Sequence, residues 1–216
     1  MIRIAKGGFS WIATSWAITI LLLAASLRAP DPFQIVFLVF FVLFCMLSSL
    51  LIIFFRDPQR PIGSGVVAVA DGKVREITEL HDGDIGRCLR ISTFMNIHNV
   101  HVNRMPLDGT IEKITHHDGG HIPAFKKESE SNERVVLLIK TDIGIIKIVQ
   151  IAGAIARRIV PYVAEGNALK KGERIGLIRL GSRVDVYLPT TTIKALVIQV
   201  HDIIKAGEDT IAEIHG

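Results

Sequence analysis

Only two cysteines occur in the 216 residues, Cys45 inside a long apolar run and Cys88 in a short strand-like one. No disulfide framework can therefore hold the chain together, and a reducing compartment suits it. An excess of one charge is lacking too. Beyond the apolar N-terminal region, residues 56–216 carry 22 Lys/Arg against 20 Asp/Glu. That balance excludes the basic footprint of a nucleic-acid binder and leaves only modest attraction to anionic lipid. There is no internal repeat and no low-complexity tract. After residue 57 no long stretch of helical apolar period appears, which points to a mostly β body.

What is abundant is uninterrupted apolar length. Residues 7–27 and 33–55 contain no charged side chain, and at about 1.5 Å rise per residue each run covers roughly the 30 Å hydrocarbon core of a bilayer. Between them Arg28-Ala29-Pro30-Asp31-Pro32 breaks the helix, because its prolines lack backbone donors. Residues 1–56 thus read as a membrane-anchoring helical hairpin, either transmembrane or re-entrant. A cleaved signal peptide would explain the first run but not the second directly behind it. Trp11 and Trp16 also suit an interfacial seat, which keeps the re-entrant form open. Arg3 and Lys6 before the hairpin, with Arg56 and Arg60 after it, place both ends and the following domain on the cytoplasmic side of the cell membrane by the positive-inside bias.

Residues 57–216 change to short β-branched runs broken by glycine, which predict strands at 65–70, 86–92, 109–114, 135–141, 144–152, 174–180, 184–188 and 193–200. The expected architecture is a compact β-sandwich or barrel. Asp142-Ile143-Gly144 predicts a hairpin turn joining two adjacent antiparallel strands. The loop at 165–173 is similar to the connection between strands in biotinyl and lipoyl carrier domains. The polar, aperiodic stretch 125–133 reads as a surface loop, or as a lid over a lipid headgroup.

The stretch with most chemical content is Leu180-Gly181-Ser182-Arg183-Val184-Asp185-Val186-Tyr187-Leu188-Pro189. A serine hydroxyl that follows glycine can attack the glycine carbonyl through a five-membered ring, and the missing Cβ of Gly181 leaves that tetrahedral centre uncrowded. The product is an ester. Removal of the Ser182 α-proton then eliminates the upstream chain as a carboxylate and leaves dehydroalanine, which hydrolyses to a pyruvoyl group and ammonia. A Gly-Ser pair by itself reads as nothing more than a turn serine, so the surrounding motifs decide.

Those motifs are Phe54-Phe55-Arg56-Asp57-Pro58, Ala70-Asp71-Gly72-Lys73-Val74, Asn99-Val100-His101-Val102-Asn103-Arg104-Met105-Pro106 and Gln150-Ile151-Ala152-Gly153-Ala154-Ile155-Ala156-Arg157-Arg158-Ile159-Val160. With the Gly181-Ser182 segment, their order and spacing resemble the short bacterial branch of the phosphatidylserine decarboxylases over nearly the whole chain. The resemblance implies conversion of phosphatidylserine to phosphatidylethanolamine through a Schiff base with a pyruvoyl group made from Ser182, without metal or pyridoxal phosphate. It also implies self-cleavage into a β chain, 1–181, and an α chain, 182–216, that stay together as a heterodimer at the membrane, with a higher homo-oligomer left open.

In the long-form members, an Asp in an Asp-Gly motif and a His act with the serine in self-cleavage, and a second His three residues upstream assists decarboxylation. By motif these fall on Asp71, Arg104 and His101. Arg104 cannot be a general base at neutral pH, so His101 is the candidate acid and base, with Asp71 orienting it. His117 and the pair Arg157 and Arg158 are candidates for the lipid headgroup, and the group His116-His117-Asp118-Gly119-Gly120-His121 lacks a recognised metal-ligand spacing. His98 is the weaker candidate, because three residues along a strand would put it on the face opposite His101. The alternative from another class is a noncatalytic, membrane-tethered adaptor with a carrier-like β domain. It lacks the turn lysine that carrier attachment needs, and it gives no role to Gly181-Ser182.

Overall fold

The computed structural model describes residues 2–120, 132–153, 158–179 and 182–215. The chain divides into two compact units, Met1–Gln59 and Arg60–Gly216.

In the first unit, α1 (Phe9–Ser26) and α2 (Phe33–Phe54) are the two apolar runs, of 18 and 22 residues. At the α-helical rise they extend about 27 and about 33 Å. By length and composition both can cross a membrane, and they are compatible with membrane association. Polar contacts join them: Ser48 Oγ lies 2.6 Å from Ser15 Oγ and 3.2 Å from Thr19 Oγ1. The hairpin ends are clasped by antiparallel pairing of β1 (Ile2–Ile4) with β2 (Arg56–Pro58), in which Arg3 faces Asp57.

The second unit is built from β3 (Val66–Val67), β4 (Gly72–Asp82), β5 (Gly86–Met95), β6 (Val102–Arg104), β7 (Gly109–His117), β8 (Arg134–Thr141), β9 (Gly144–Ile151), β10 (Ile159–Pro161), β11 (Ala168–Leu169), β12 (Arg174–Ile178), β13 (Ser182–Pro189), β14 (Ile193–Leu196), β15 (Ile203–Ile204) and β16 (Thr210–Ile214). Eight of these form one antiparallel sheet in the order β11-β7-β8-β9-β13-β5-β4-β15, and two smaller sheets run β10-β12-β6 and β14-β16-β3. The large sheet is open. Its edge strands β11 and β15 do not pair with each other, so the ladders among the described residues do not close the expected barrel.

Alternation along the central strands puts Val184, Val186 and Leu188 of β13, Ile146 and Ile148 of β9 and Leu137 and Ile139 of β8 into one core with Ile175 and Ile178 of β12 and Ile211 of β16. The predicted turn joins β8 to β9, with Thr141 opposite Gly144 and Gly144 at φ 98°. Three expectations change. The strand expected at 65–70 shrinks to Val66–Val67, and the one at 193–200 stops at Leu196. The longest strand, β4, was not anticipated, because Lys73, Arg75, Glu76, Glu79 and His81 break up its apolar signal.

Candidate functional site

Ser182 is the first residue of β13, which runs between β5 and β9 at the middle of the large sheet. It stands opposite Met95 of β5 and is fully buried, and its hydroxyl donates to the Met95 sulfur at 3.7 Å. A thioether is a weak acceptor, so this contact holds the hydroxyl without committing its proton. The next residue turns to the other face, where Arg183 grips Asp185 through Nε to Oδ1 at 2.7 Å and Nη2 to Oδ2 at 2.5 Å. This buried pair neutralises two charges on one face of β13 while Ser182 addresses the core from the other. Gly181, the other half of the predicted cleavage site, lies outside the described residues.

His101 precedes β6 and is fully buried. Its carbonyl accepts the Ile178 N–H at 3.3 Å, which ties it to the end of β12 a few residues before Ser182. Ring atom Nδ1 lies 2.9 Å from the Asn99 carbonyl oxygen. A carbonyl only accepts, so Nδ1 donates to it, and in a neutral ring Nε2 is the atom able to act as a base. His98 is not on a strand. It sits exposed in the tight turn closed by the Asn99 N–H donating to the Asn96 carbonyl at 2.9 Å.

The segment bearing Asp71 runs alongside β6: the Val67 N–H donates to the Pro106 carbonyl at 3.0 Å, and the Arg104 N–H donates to the Val69 carbonyl at 2.9 Å. Asp71 and His101 thus approach the same end of the strands as Ser182. Their side chains do not form the expected orienting bond. Arg60 binds the Asp71 carboxylate in bidentate fashion at 2.5 and 2.8 Å, and the Ala206 N–H adds a third bond at 2.8 Å. A half-buried guanidinium in fork geometry is a stronger partner for a carboxylate than an uncharged N–H donor. The bond to Asp71 in turn raises the Arg60 guanidinium above its ordinary range, against the opposing effect of burial. Arg104, in the position where a histidine was expected, is buried, and its Nη1 donates to the Gly172 carbonyl at 3.0 Å.

Two buried amides also belong to this layer. Gln150 of β9 donates from Nε2 to Asn103 Oδ1 at 2.7 Å, and Asn103 Nδ2 lies 3.9 Å from the same Met95 sulfur that Ser182 contacts. Sequence reasoning met both only as letters in longer motifs. The available signal was a glutamine inside the β-branched stretch 144–152.

His117 lies on the other side of the sheet. It pairs with Arg134, which pairs with Ile151, which pairs with Arg183, so the row shares the face turned away from Ser182. His117, Lys113, Thr115, Arg134, Lys147 and Tyr187 line a groove of about 540 Å³ there. Burial and the neighbouring Asp185 push the Tyr187 phenol up. Arg158 is exposed beside β10, and Arg157 lies outside the described residues. His116 and His117 point to opposite faces of β7, and His121 lies outside the described residues. Among the described residues no three His, Cys, Asp or Glu side chains converge as metal ligands. The structure therefore brings Ser182, His101 and Asp71 to one end of the strands and leaves His117 on the reverse face.

The family model for phosphatidylserine decarboxylase matches residues 47–212. A phosphatidylserine decarboxylase proenzyme of Streptomyces griseus is 47% identical over 189 residues, 87% of this chain and 84% of that protein. Another from Azorhizobium caulinodans is 49% identical over 170 residues, 74% of this chain and 72% of that protein. A provisionally named archaetidylserine decarboxylase proenzyme of Methanococcoides burtonii is 43% identical over 219 residues, 97% of this chain and 96% of that protein.

Proposed function

Since the chain belongs to the phosphatidylserine decarboxylase family, we propose that it is a membrane-anchored proenzyme that decarboxylates phosphatidylserine to phosphatidylethanolamine, using a pyruvoyl group built from Ser182. The observation that carries the proposal is the placement of Ser182: fully buried at the start of a central strand, its hydroxyl against a sulfur that does not hold the proton.

A pyruvoyl group fits these surroundings. It is neutral and no larger than a serine residue, so a buried layer of Met95, Asn103 and Gln150 accepts it without a buried charge to compensate. When formed, the group supplies a carbonyl that captures the substrate amine and takes up the electrons released with CO₂. The chain's own residues do the rest. Ser182 Oγ attacks the Gly181 carbonyl, giving an ester. A base then takes the Ser182 α-proton, the Gly181 carboxylate leaves, and hydrolysis of the dehydroalanine releases ammonia. His101 Nε2 is the base of this reading and later returns a proton to the substrate carbon, as one imidazole near neutral pKa can do both. Asp71, held by Arg60, acts on the backbone that carries His101 rather than on its ring.

The hairpin supports residence at a membrane, and the basic residues at its ends favour a cytoplasmic catalytic unit. Serine-bearing phospholipids with other tails share the headgroup chemistry, as the archaetidylserine relative's name illustrates. Intact-mass measurement of purified protein tests the proposal. We expect two fragments, 1–181 and 182–216, the second blocked at its amino terminus by pyruvoyl. An active preparation made only of uncut chain would sink it.

A further inference from the structure

The amide of Gln150 has more hydrogen-bonding capacity than the structure uses. Gln150 is fully buried, its Nε2 is spent on Asn103, and its Oε1 is buried with no hydrogen-bond partner among the described residues. Leaving such a carbonyl unmet is costly, so its persistence needs a reason.

Three features show that the fold makes room for this amide. Gly176 of β12 lies beneath it: a Cβ there would stand 3.0 Å from Gln150 Nε2, 3.4 Å from Oε1 and 3.0 Å from the Val160 carbonyl oxygen. Asn103, which holds the amide, pairs with Gly176 in the β6–β12 ladder. Gln150 itself pairs with Val184, which shares the inward face of β13 with Ser182 two residues away. Since Asn103 and Ser182 both reach the Met95 sulfur, at 3.9 and 3.7 Å, the amide pair and the serine occupy one side-chain layer. The neighbouring carboxylate is already taken, because Arg60 and Ala206 occupy Asp71.

We propose that Gln150 Oε1 receives the amine of the serine headgroup when that amine approaches residue 182, an inference that rests on the reading of Ser182 given above. An amine that donates one N–H to Oε1 keeps its lone pair for the carbonyl carbon at residue 182. Asn103 and Gly176 set the angle of the acceptor.

The test uses the full-length chain in detergent micelles containing phosphatidylserine, with Gln150→Leu and Gln150→Glu beside the wild type. Three readouts are taken: self-cleavage by mass, labelling of the carbonyl at residue 182 by a small hydrazine, and reductive trapping of phosphatidylserine on the 182–216 fragment. Gln150→Leu is expected to cleave and to take the hydrazine like the wild type, while trapping falls tenfold to a hundredfold, the loss of about one hydrogen bond to a charged or polar partner. Gln150→Glu, which keeps an acceptor in place, is expected to trap within a few-fold of wild type. Wild-type trapping in Gln150→Leu, or equal impairment of both variants, overturns the inference. Loss of cleavage in either variant also overturns it, assigning Gln150 to processing instead. A wild type that neither cleaves nor takes the hydrazine refutes the pyruvoyl reading itself.

Discussion

Arg104 occupies the position where long-form members of the family carry a histidine, and its guanidinium is turned toward the loops at Gly172 and Gly207. Such an arginine ties backbone segments together and moves no protons. Arg104→Ala is expected to leave self-cleavage intact while lowering stability by about 2 kcal/mol, the size of a lost buried hydrogen bond to a charged group; thermal denaturation and fragment mass read the two effects apart. His101→Ala is expected instead to impair self-cleavage and to cut decarboxylation by about 10² or more, as loss of an acid–base group does, beyond what the emptied buried site costs in melting temperature. The motifs around Ser182 and His101 single these residues out in the sequence, whereas their full burial comes from the fold. The partner of Asp71 was not: Arg60 is 11 residues upstream, in a stretch without a motif of its own, and only the fold brings the two into a bidentate pair. Gln150 was legible only as an oddity, since its meaning depends on Gly176 and Asn103 from another sheet.

At the scale of elements, β4 and β5 carry Asp71-Gly72 toward Ser182, and their close approach depends on a missing side chain. A Cβ on Gly72 would stand 2.2 Å from the Phe94 carbonyl oxygen and 3.0 Å from Thr93 Cγ2. The first of these is backbone in the ladder next to Met95, so it cannot swing away. Gly72→Ala is therefore expected to destabilise the catalytic unit by roughly 3 kcal/mol, within the range of overpacking in a dense core, and to abolish self-cleavage; far-UV circular dichroism and fragment mass check this. The elements themselves were read from sequence with uneven success. β8, β9 and the turn between them follow from β-branched runs closed by Gly144. β4 escaped because its partly exposed face is charged, so alternation rather than hydrophobicity marks it. The hairpin helices were the easiest to read, because length without charge is a signal that tertiary packing does not blur.

For the molecule as a whole, the reverse face of the large sheet sets a pH window. Lys147 of β9 bridges Asp82 and Asp84 across the sheet, with the Asp84 contact at 2.9 Å. Burial alone would raise Asp82, but the bonds from Lys147 and the Asp84 N–H outweigh it and hold the carboxyl below its ordinary range. Burial alone would lower Lys147, and its two carboxylate partners more than reverse this. A depressed carboxylate contributes stability above its unfolded pKa of about 3.9, lost as pH falls through the folded value; a raised lysine contributes below about 10.4, lost as pH rises through its own. The pair thus stabilises the fold across neutral pH and fails at both extremes. Asp82→Asn is expected to lower the melting temperature at pH 7 and to flatten its fall in acid, measured by melts from pH 3 to 8.

The sheet order has a last consequence for what self-cleavage would do. β13 begins at the proposed cut and is flanked on both sides by strands of the upstream segment, β5 and β9, while β15 pairs with β4 and β16 with β3 of the same segment. A chain severed there would become two polypeptides held together by the sheet, because release of the short one would mean tearing the large sheet down its middle. Each molecule would then keep the fragment it made. Processing would be a one-time event, and renewal of a carbonyl at residue 182 would require a newly synthesised chain.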